Sequence, residues 1–275
     1  MPAIEVCGLT KRYGPTLAVD DISFQVEPGE VVGFLGPNGA GKTTTIRILA
    51  CFLPATDGKA SVAGHDVFRE STAVRRMIGY LPENVPLYRE MRVRDYLLYR
   101  AALKRVPRRE RADRVEDALH EVRIEDHAER IIGHLSKGYR QRVGLADTLV
   151  HDPEVLILDE PTVGLDPNQV ADVRDLVKGL AEERTVLFST HVIPWVQAVC
   201  QRVIVIAGGR IVADGLIAEL IEGVEGGLEQ VFRRLTDEAG DQRNAPVTPP
   251  VIRGEPARAD GDTGSDVGSD VGEGV

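Results

Sequence analysis

The sequence predicts an α/β protein: a mostly parallel sheet, an antiparallel β flap at the N-terminus, an inserted helical subdomain and a disordered acidic tail. Short β-branched runs alternate with helical stretches, at residues 31–35 before a helix from Lys42, at 155–158 before a helix from Pro167, and at 186–188 before a helix near Pro194. Strands followed by helices in this way build crossover units, and crossovers make parallel sheets. Residues 92–150 read as helix almost throughout, which places the insertion between two parts of the sheet. Residues 240–275 carry hardly any large apolar side chains. At 275 residues, 43% hydrophobic and 28% charged, with mean hydropathy −0.13, the chain can fill one large core and is too polar for a polytopic membrane protein.

In chain order, residues 4–9 and 22–26 are strand-like and flank the turn residues Gly14 and Pro15, which predicts the flap. Residues 92–105, 108–122 and 136–150 each carry apolar side chains at helical spacing, so a helical subdomain is expected at about 88–150 within a domain spanning 1–222. In that insertion Arg100, Lys104, Arg105, Arg108, Arg109, Arg111 and Arg114 are opposed only by Glu110 and Asp113. A solvated helical face is the first reading of the cluster, and a membrane-proximal or nucleic-acid-binding patch the second. A helical extension is expected at 223–239. From Thr236 onward nine acids face three arginines, which accounts for six of the ten net negative charges. The Pro249-Pro250 pair and a tandem Gly-Ser-Asp-Val repeat complete a segment that cannot bury enough surface to offset its ordering entropy.

The net charge of −10 argues against a general nucleic-acid surface, and no nucleic-acid partner is expected. Cys7, Cys51 and Cys200 are widely spaced, without CxxC pairs, and read as reduced thiols rather than a metal site. No apolar run approaches the ~18 residues that span a bilayer, and the first residues lack the layout of a signal peptide. A cytoplasmic chain is expected.

Residues Gly36, Pro37, Asn38, Gly39, Ala40, Gly41, Lys42 and Thr43 fit GxxxxGK[ST], directly after the strand at 31–35 and at the start of a helix. A polyphosphate needs backbone N–H donors wrapped closely round it, so Gly39 and Gly41 remove side chains while the helix N-terminus faces the negative charge. Lys42 would meet the β and γ phosphates, Thr43 would hold Mg²⁺, and Thr44 joins the ATP-binding loop. The strand 155–158 ends in Asp159 and Glu160. Beside a phosphate loop, Asp159 becomes a Mg²⁺-side acid and Glu160 is placed to polarise a water attacking the γ phosphate. His191, after the run 186–190, could hydrogen-bond that phosphate, although a lone histidine is more often structural. Lys42, Glu160 and His191 are the catalytic candidates of a P-loop NTPase core.

Together these residues resemble the nucleotide-binding subunits of ATP-binding-cassette (ABC) transporters, over about residues 3–235. The resemblance implies an ATPase with ATP and Mg²⁺ as cofactors. It further implies an ATP-dependent homodimer, peripheral on the cytoplasmic face of the membrane, working with an integral-membrane transporter subunit. Tyr13 looks like the aromatic that stacks on adenine. Residues 135–141 resemble the signature whose Ser136 and Gly138 close on the partner subunit's ATP, and residues 164–167 resemble the loop that crosses the dimer interface. Lys137 replaces a glycine of the usual Leu-Ser-Gly-Gly-Gln signature. Glu83 stands where a glutamine usually joins the nucleotide site to the membrane partner, and with Thr43 and Asp159 it completes the candidate metal ligands. Ile193, Pro194 and Trp195 follow His191 where acidic residues are common. Residues 81–88, 135–142 and 228–236 are similar to type-2 exporter ATPases related to gliding-motility and copper-site-maturation systems. The alternative is a soluble ABC-type ATPase acting on ribosomes or DNA. In the family such proteins carry two cassettes or a long coiled coil, whereas here Ser136 follows Lys42 closely enough to leave room only for a small helical subdomain.

Overall fold

The computed structural model describes residues 1–244. The chain opens with a hairpin, β1 (Ile4–Tyr13) and β2 (Thr16–Val26), which turns at Gly14 and Pro15 with Gly14 at φ 53°. Both strands outrun the apolar runs at 4–9 and 22–26. Register shifts after Val6 and after Leu9 break the alternation while the pairing continues to Tyr13 and Thr16. Next come β3 (Val31–Leu35) and α1 (Lys42–Leu49), then β4 (Asp57–Val62) and β5 (His65–Asp66). β2-β1-β4-β5 form one wholly antiparallel sheet.

After α2 (Ser71–Met77) and β6 (Ile78–Leu81), the helical insertion runs through α3 (Val93–Leu103), α4 (Arg111–Glu121) and α5 (Lys137–Leu149). All three helices lie within the expected 92–105, 108–122 and 136–150. The chain then alternates through β7 (Val155–Asp159), α6 (Pro167–Leu180), β8 (Thr185–Thr190) and α7 (Ile193–Val199). It closes with β9 (Arg202–Ala207), β10 (Arg210–Leu216), α8 (Ile217–Leu220) and α9 (Gly227–Asn244), the last overlapping the expected 223–239 extension. Residues 245–275, most of the expected acidic tail, lie outside the described residues.

The second sheet has the order β10-β9-β3-β8-β7-β6, parallel except for β10 against β9. Alternate residues of its strands point to opposite faces, and both faces are buried. Val155 and Ile157 of β7 join Phe34, Ile46 and Leu49 in a core shared with Val6 and Leu9 of the hairpin. Leu156, Leu158 and Phe188 join Val143, Leu145, Val173 and Trp195 in a second core against the helices, with Phe188 edge-on to Trp195 at 4.2 Å between ring centroids. Fully burying each such side chain is worth roughly 1.5–3 kcal/mol, so the sheet is clamped from both sides. Its centre brings the C-terminal ends of β3, β8 and β7 next to one another.

A polar clamp ties the insertion to this core. Arg184, buried just before β8, donates to Glu121 of α4 at 3.0 and 3.3 Å and to Asp152, beyond α5, at 3.2 Å. A planar guanidinium satisfies two carboxylates at once, which a lysine could not do in the same geometry.

Candidate functional site

The loop after β3 turns back on the sheet edge before α1 begins. The Gly36 N–H donates to the Thr190 carbonyl at 3.3 Å, and a methyl group at Gly36 would lie 2.3 Å from the Ile206 carbonyl oxygen, so only glycine lets the loop lie this close. Gly41 caps α1 at φ 108°, and a methyl group there would meet the Ala18 carbonyl oxygen at 2.6 Å. The N–H groups of Lys42, Thr43 and Thr44 open the helix without intrahelical acceptors. They edge a cavity of about 540 Å³ also lined by Ala18, Asn38, Glu83, Glu160, Val163 and His191. Strand ends of a parallel sheet beside a helix N-terminus are where an anionic ligand is expected.

Lys42 is buried and donates to the carbonyls of Gly36 at 2.7 Å and Pro37 at 3.2 Å, with Glu160 Oε1 at 3.5 Å. Burial lowers its pKa, while Glu160, Asp159 and Glu83 pull it back up. Asp159 ends β7 opposite Ser189 of β8. Its Oδ1 accepts from the Ser189 hydroxyl at 2.6 Å and from Thr43 Oγ1 at 3.2 Å, and its Oδ2 is buried without a hydrogen-bond partner. Burial raises the Asp159 pKa, the two hydroxyls oppose that, and the charges of Glu83 and Glu160 add to it.

Glu160 takes a left-handed backbone, φ 48°, which costs about 1 kcal/mol in a residue with a Cβ. Its N–H holds it there through the Ser189 hydroxyl at 3.1 Å and the Ser189 carbonyl at 3.2 Å. Its Oε1 lies 2.9 Å from His191 Nδ1, and its Oε2 is buried without a partner. One carboxylate is thus oriented by a histidine and a lysine and keeps one oxygen free, as a general base needs.

The expected residues divide into two sets. The loop from Gly36 to Thr44, Asp159, Glu160, His191 and Glu83 gather at this cavity or on its walls. Tyr13 sits at the exposed end of β1, 45% accessible, with Lys11 Nζ 5.2 Å from its ring centroid, and does not line the cavity. Ser136 and Gly138 also lie elsewhere. Ser136 caps α5 by accepting from the Tyr139 N–H, Gly138 is buried beneath Gln169, and a methyl group on Gly164 would meet the Lys137 ammonium at 2.0 Å. Ser189, Ala18 and Val163 were missed by sequence reasoning. Ser189 is recognisable only once β7 and β8 are paired in register, which no local pattern states.

Residues 19–163 match the family model described as ABC transporter. The chain belongs to that family. The ABC transporter ATP-binding protein NatA of Bacillus subtilis is 39% identical over 207 residues, 74% of this chain and 84% of that one. The daunorubicin resistance ATP-binding protein DrrA3 of Streptomyces coeruleorubidus is 40% identical over 219 residues, covering 79% and 69% of the two chains. Among solved structures, a dimeric ATP-binding cassette in a post-hydrolysis state with ADP and Pi superposes with a TM-score of 0.70 and 25% identity, covering 78% of this chain and 98% of that one. This ABC chain is accordingly an ATP-binding ATPase. Among the described residues, no helix is long and apolar enough to cross a membrane.

Proposed function

We propose that this chain closes as a homodimer around two ATP molecules and drives a separate membrane-spanning export subunit from the cytoplasmic face. One observation carries the reading: the phosphate cradle is complete within one chain, whereas Ser136 and Gly138 lie outside its cavity. A second copy would bring them in. DrrA3 is named for daunorubicin resistance, which supports an export reading.

The roles follow from the contacts. Lys42 is held by the carbonyls of Gly36 and Pro37, and the β and γ phosphates of ATP would offer it a stronger, charged acceptor. The first N–H groups of α1 supply fixed dipoles to the same charge. Mg²⁺ fits beside them: the buried, unpartnered Asp159 Oδ2 and the Thr43 hydroxyl are oxygen donors of the kind a hard cation takes, with phosphates and water completing its shell. When bound, it neutralises developing phosphate charge. Glu160 Oε2 accepts the proton of the attacking water while His191 holds Oε1 in place. The expected partners and location, an integral-membrane subunit and the cytoplasmic face, belong to this proposal.

Glu160→Gln keeps the shape of the site and removes the base, so hydrolysis falls about 10²–10⁴-fold. The ATP-bound dimer then accumulates because nothing resets it. Sedimentation at tens of micromolar protein with saturating ATP and Mg²⁺ reads this directly, and a purely monomeric Glu160→Gln chain would overturn the proposal.

A further inference from the structure

Helices α1 and α5 start alike. Lys42 is the first residue of α1, after the cap Gly41, and Lys137 is the first residue of α5, after the cap Ser136. Their surroundings differ. Lys42 is buried, with two carbonyls and Glu160 as acceptors. Lys137 is exposed, and among the described residues its side chain makes no hydrogen bond and no ion pair. An ammonium at the positive end of a helix is electrostatically unfavourable, and the first turn of α5 holds no acid to offset it. Arg140 in the same turn gives its Nη1 to the Leu135 carbonyl, so this turn carries two cations and only neutral acceptors.

The Lys137 side chain lies across residue 164. Gly164 has φ 70°, and a methyl group there would overlap the Lys137 ammonium and stand 3.3 Å from its Cε, so a glycine is what gives the lysine its place. The loop it crosses leads from Glu160 to α6, and Val163 of that loop lines the cavity beside the phosphate loop. Asp166, the acid of that loop, is spent on the N–H groups of Asn168 and Gln169 at 3.1 and 3.0 Å. Ser136 and residues 164–167 are the segments that the dimer reading turns toward the other chain, and the Lys137 side chain joins them. An unpaired cation is thus stationed where the other chain would bring its phosphates.

We propose that Lys137 is a catalytic residue acting in trans: on closure its ammonium meets the γ phosphate held by the other chain's phosphate loop and neutralises the charge that develops there as water attacks. The inference rests on the homodimer reading and adds a charged group to it. An ammonium is a point charge with three donors, so it can serve any γ oxygen without the fixed geometry a guanidinium needs. A cation supplied across an interface to a transferring phosphoryl group is a recurring source of rate, and it acts only after closure. The γ phosphate is also what ATP has and ADP lacks. Lys137 would therefore favour closure around ATP and lose its acceptor once the cleaved phosphate departs.

The test uses the full chain. Lys137→Met keeps an unbranched stem and removes the charge, so it should melt with wild type and bind ATP as wild type does in a titration of the monomer. Its hydrolysis should be slower by about a hundredfold. Lys137→Arg, which keeps the charge, should stay within about tenfold of wild type. Equal amounts of Lys137→Met and Lys42→Ala form mixed dimers with one intact site, so the mixture should recover to roughly a quarter of the wild-type rate. In the Glu160→Gln background, Lys137→Met should raise the ATP concentration for half-maximal dimer in sedimentation by at least about tenfold. Wild-type turnover by Lys137→Met would overturn the proposal. A slow Lys137→Met that the mixture does not rescue would also overturn it, by assigning the lysine to the loop at residue 164 in its own chain. Both results leave the homodimer reading intact as long as Glu160→Gln dimerises with ATP. A purely monomeric Glu160→Gln chain would remove both.

Discussion

The phosphate loop and the start of α5 are both helix N-termini bearing glycines, and they differ in what they leave open. At α1 the loop offers N–H groups and a buried lysine to an open cavity, and two carboxylate oxygens behind it, on Asp159 and Glu160, lack partners. At α5 the cap and the glycine are already engaged within the chain: Ser136 caps its own helix, and Gly138 packs on Gln169. The first region is unfinished without a ligand. The second is finished locally, so any role at the nucleotide must be played toward another molecule. In the proposed dimer, one chain would hold its own cradle and present its signature outward to the other.

The sharpest way to break this contrast is Ser136→Asp. Aspartate caps a helix as well as serine does, so α5 and the melting temperature are kept, while a negative charge is set against an incoming phosphate. The expected outcome is unchanged ATP binding by the monomer and hydrolysis lower by about a hundredfold, near 2.7 kcal/mol. Equal losses of binding and turnover in a titration and a steady-state assay would place Ser136 within its own chain's site.

A smaller effect probes the unfinished side. Burial raises the Asp159 pKa, so its charged form costs the nucleotide-free fold stability. That cost is absent below the ordinary carboxylate value of about 3.9, grows as pH rises through the folded pKa, and is constant above it. Asp159→Asn keeps an acceptor for Ser189 and Thr43 and removes the charge. It should melt above wild type at pH 7–8, with the gap closing as pH falls toward about 4. A constant gap across that range in calorimetry would mean that charge is not the cause.

The smallest expected effect concerns Glu83, which lines the cavity beside the phosphate loop and whose charge raises the Asp159 pKa. Glu83→Gln should keep hydrolysis within about tenfold, near 1.4 kcal/mol, but need more Mg²⁺ for half-maximal rate. Superimposable Mg²⁺ curves for the two proteins would remove Glu83 from the metal's surroundings.

The same contrast explains what the sequence could disclose. The phosphate loop is contiguous, and its glycines, lysine and threonine are dictated by local backbone geometry, so it was legible with its flanking strand and helix. Asp159 and Glu160 were legible because a buried strand ends on them. Ser189, which holds the Asp159 carboxylate and the Glu160 backbone N–H, was not, since its role depends on the register Asp159↔Ser189 between strands thirty residues apart. Likewise β3 lies between β8 and β9, an order set by non-local pairing that strand patterns do not encode. The left-handed backbone of Glu160 contradicts its residue type and had no signal at all. Ser136 was legible by resemblance, and its engagement within α5 only from the structure.

The central claim, that each nucleotide site takes its cradle from one chain and its signature from another, is tested most directly by mixing two inactive proteins. Lys42→Ala disables the cradle and Ser136→Asp the signature, so either homodimer has two spoiled sites. In a mixed dimer one site carries both defects and the other carries neither. Random pairing of equal amounts makes about half the dimers mixed, and the ATPase rate should recover to roughly a quarter of wild type. A mixture as inactive as its components would mean that cradle and signature serve the same chain's nucleotide, and the account would fail.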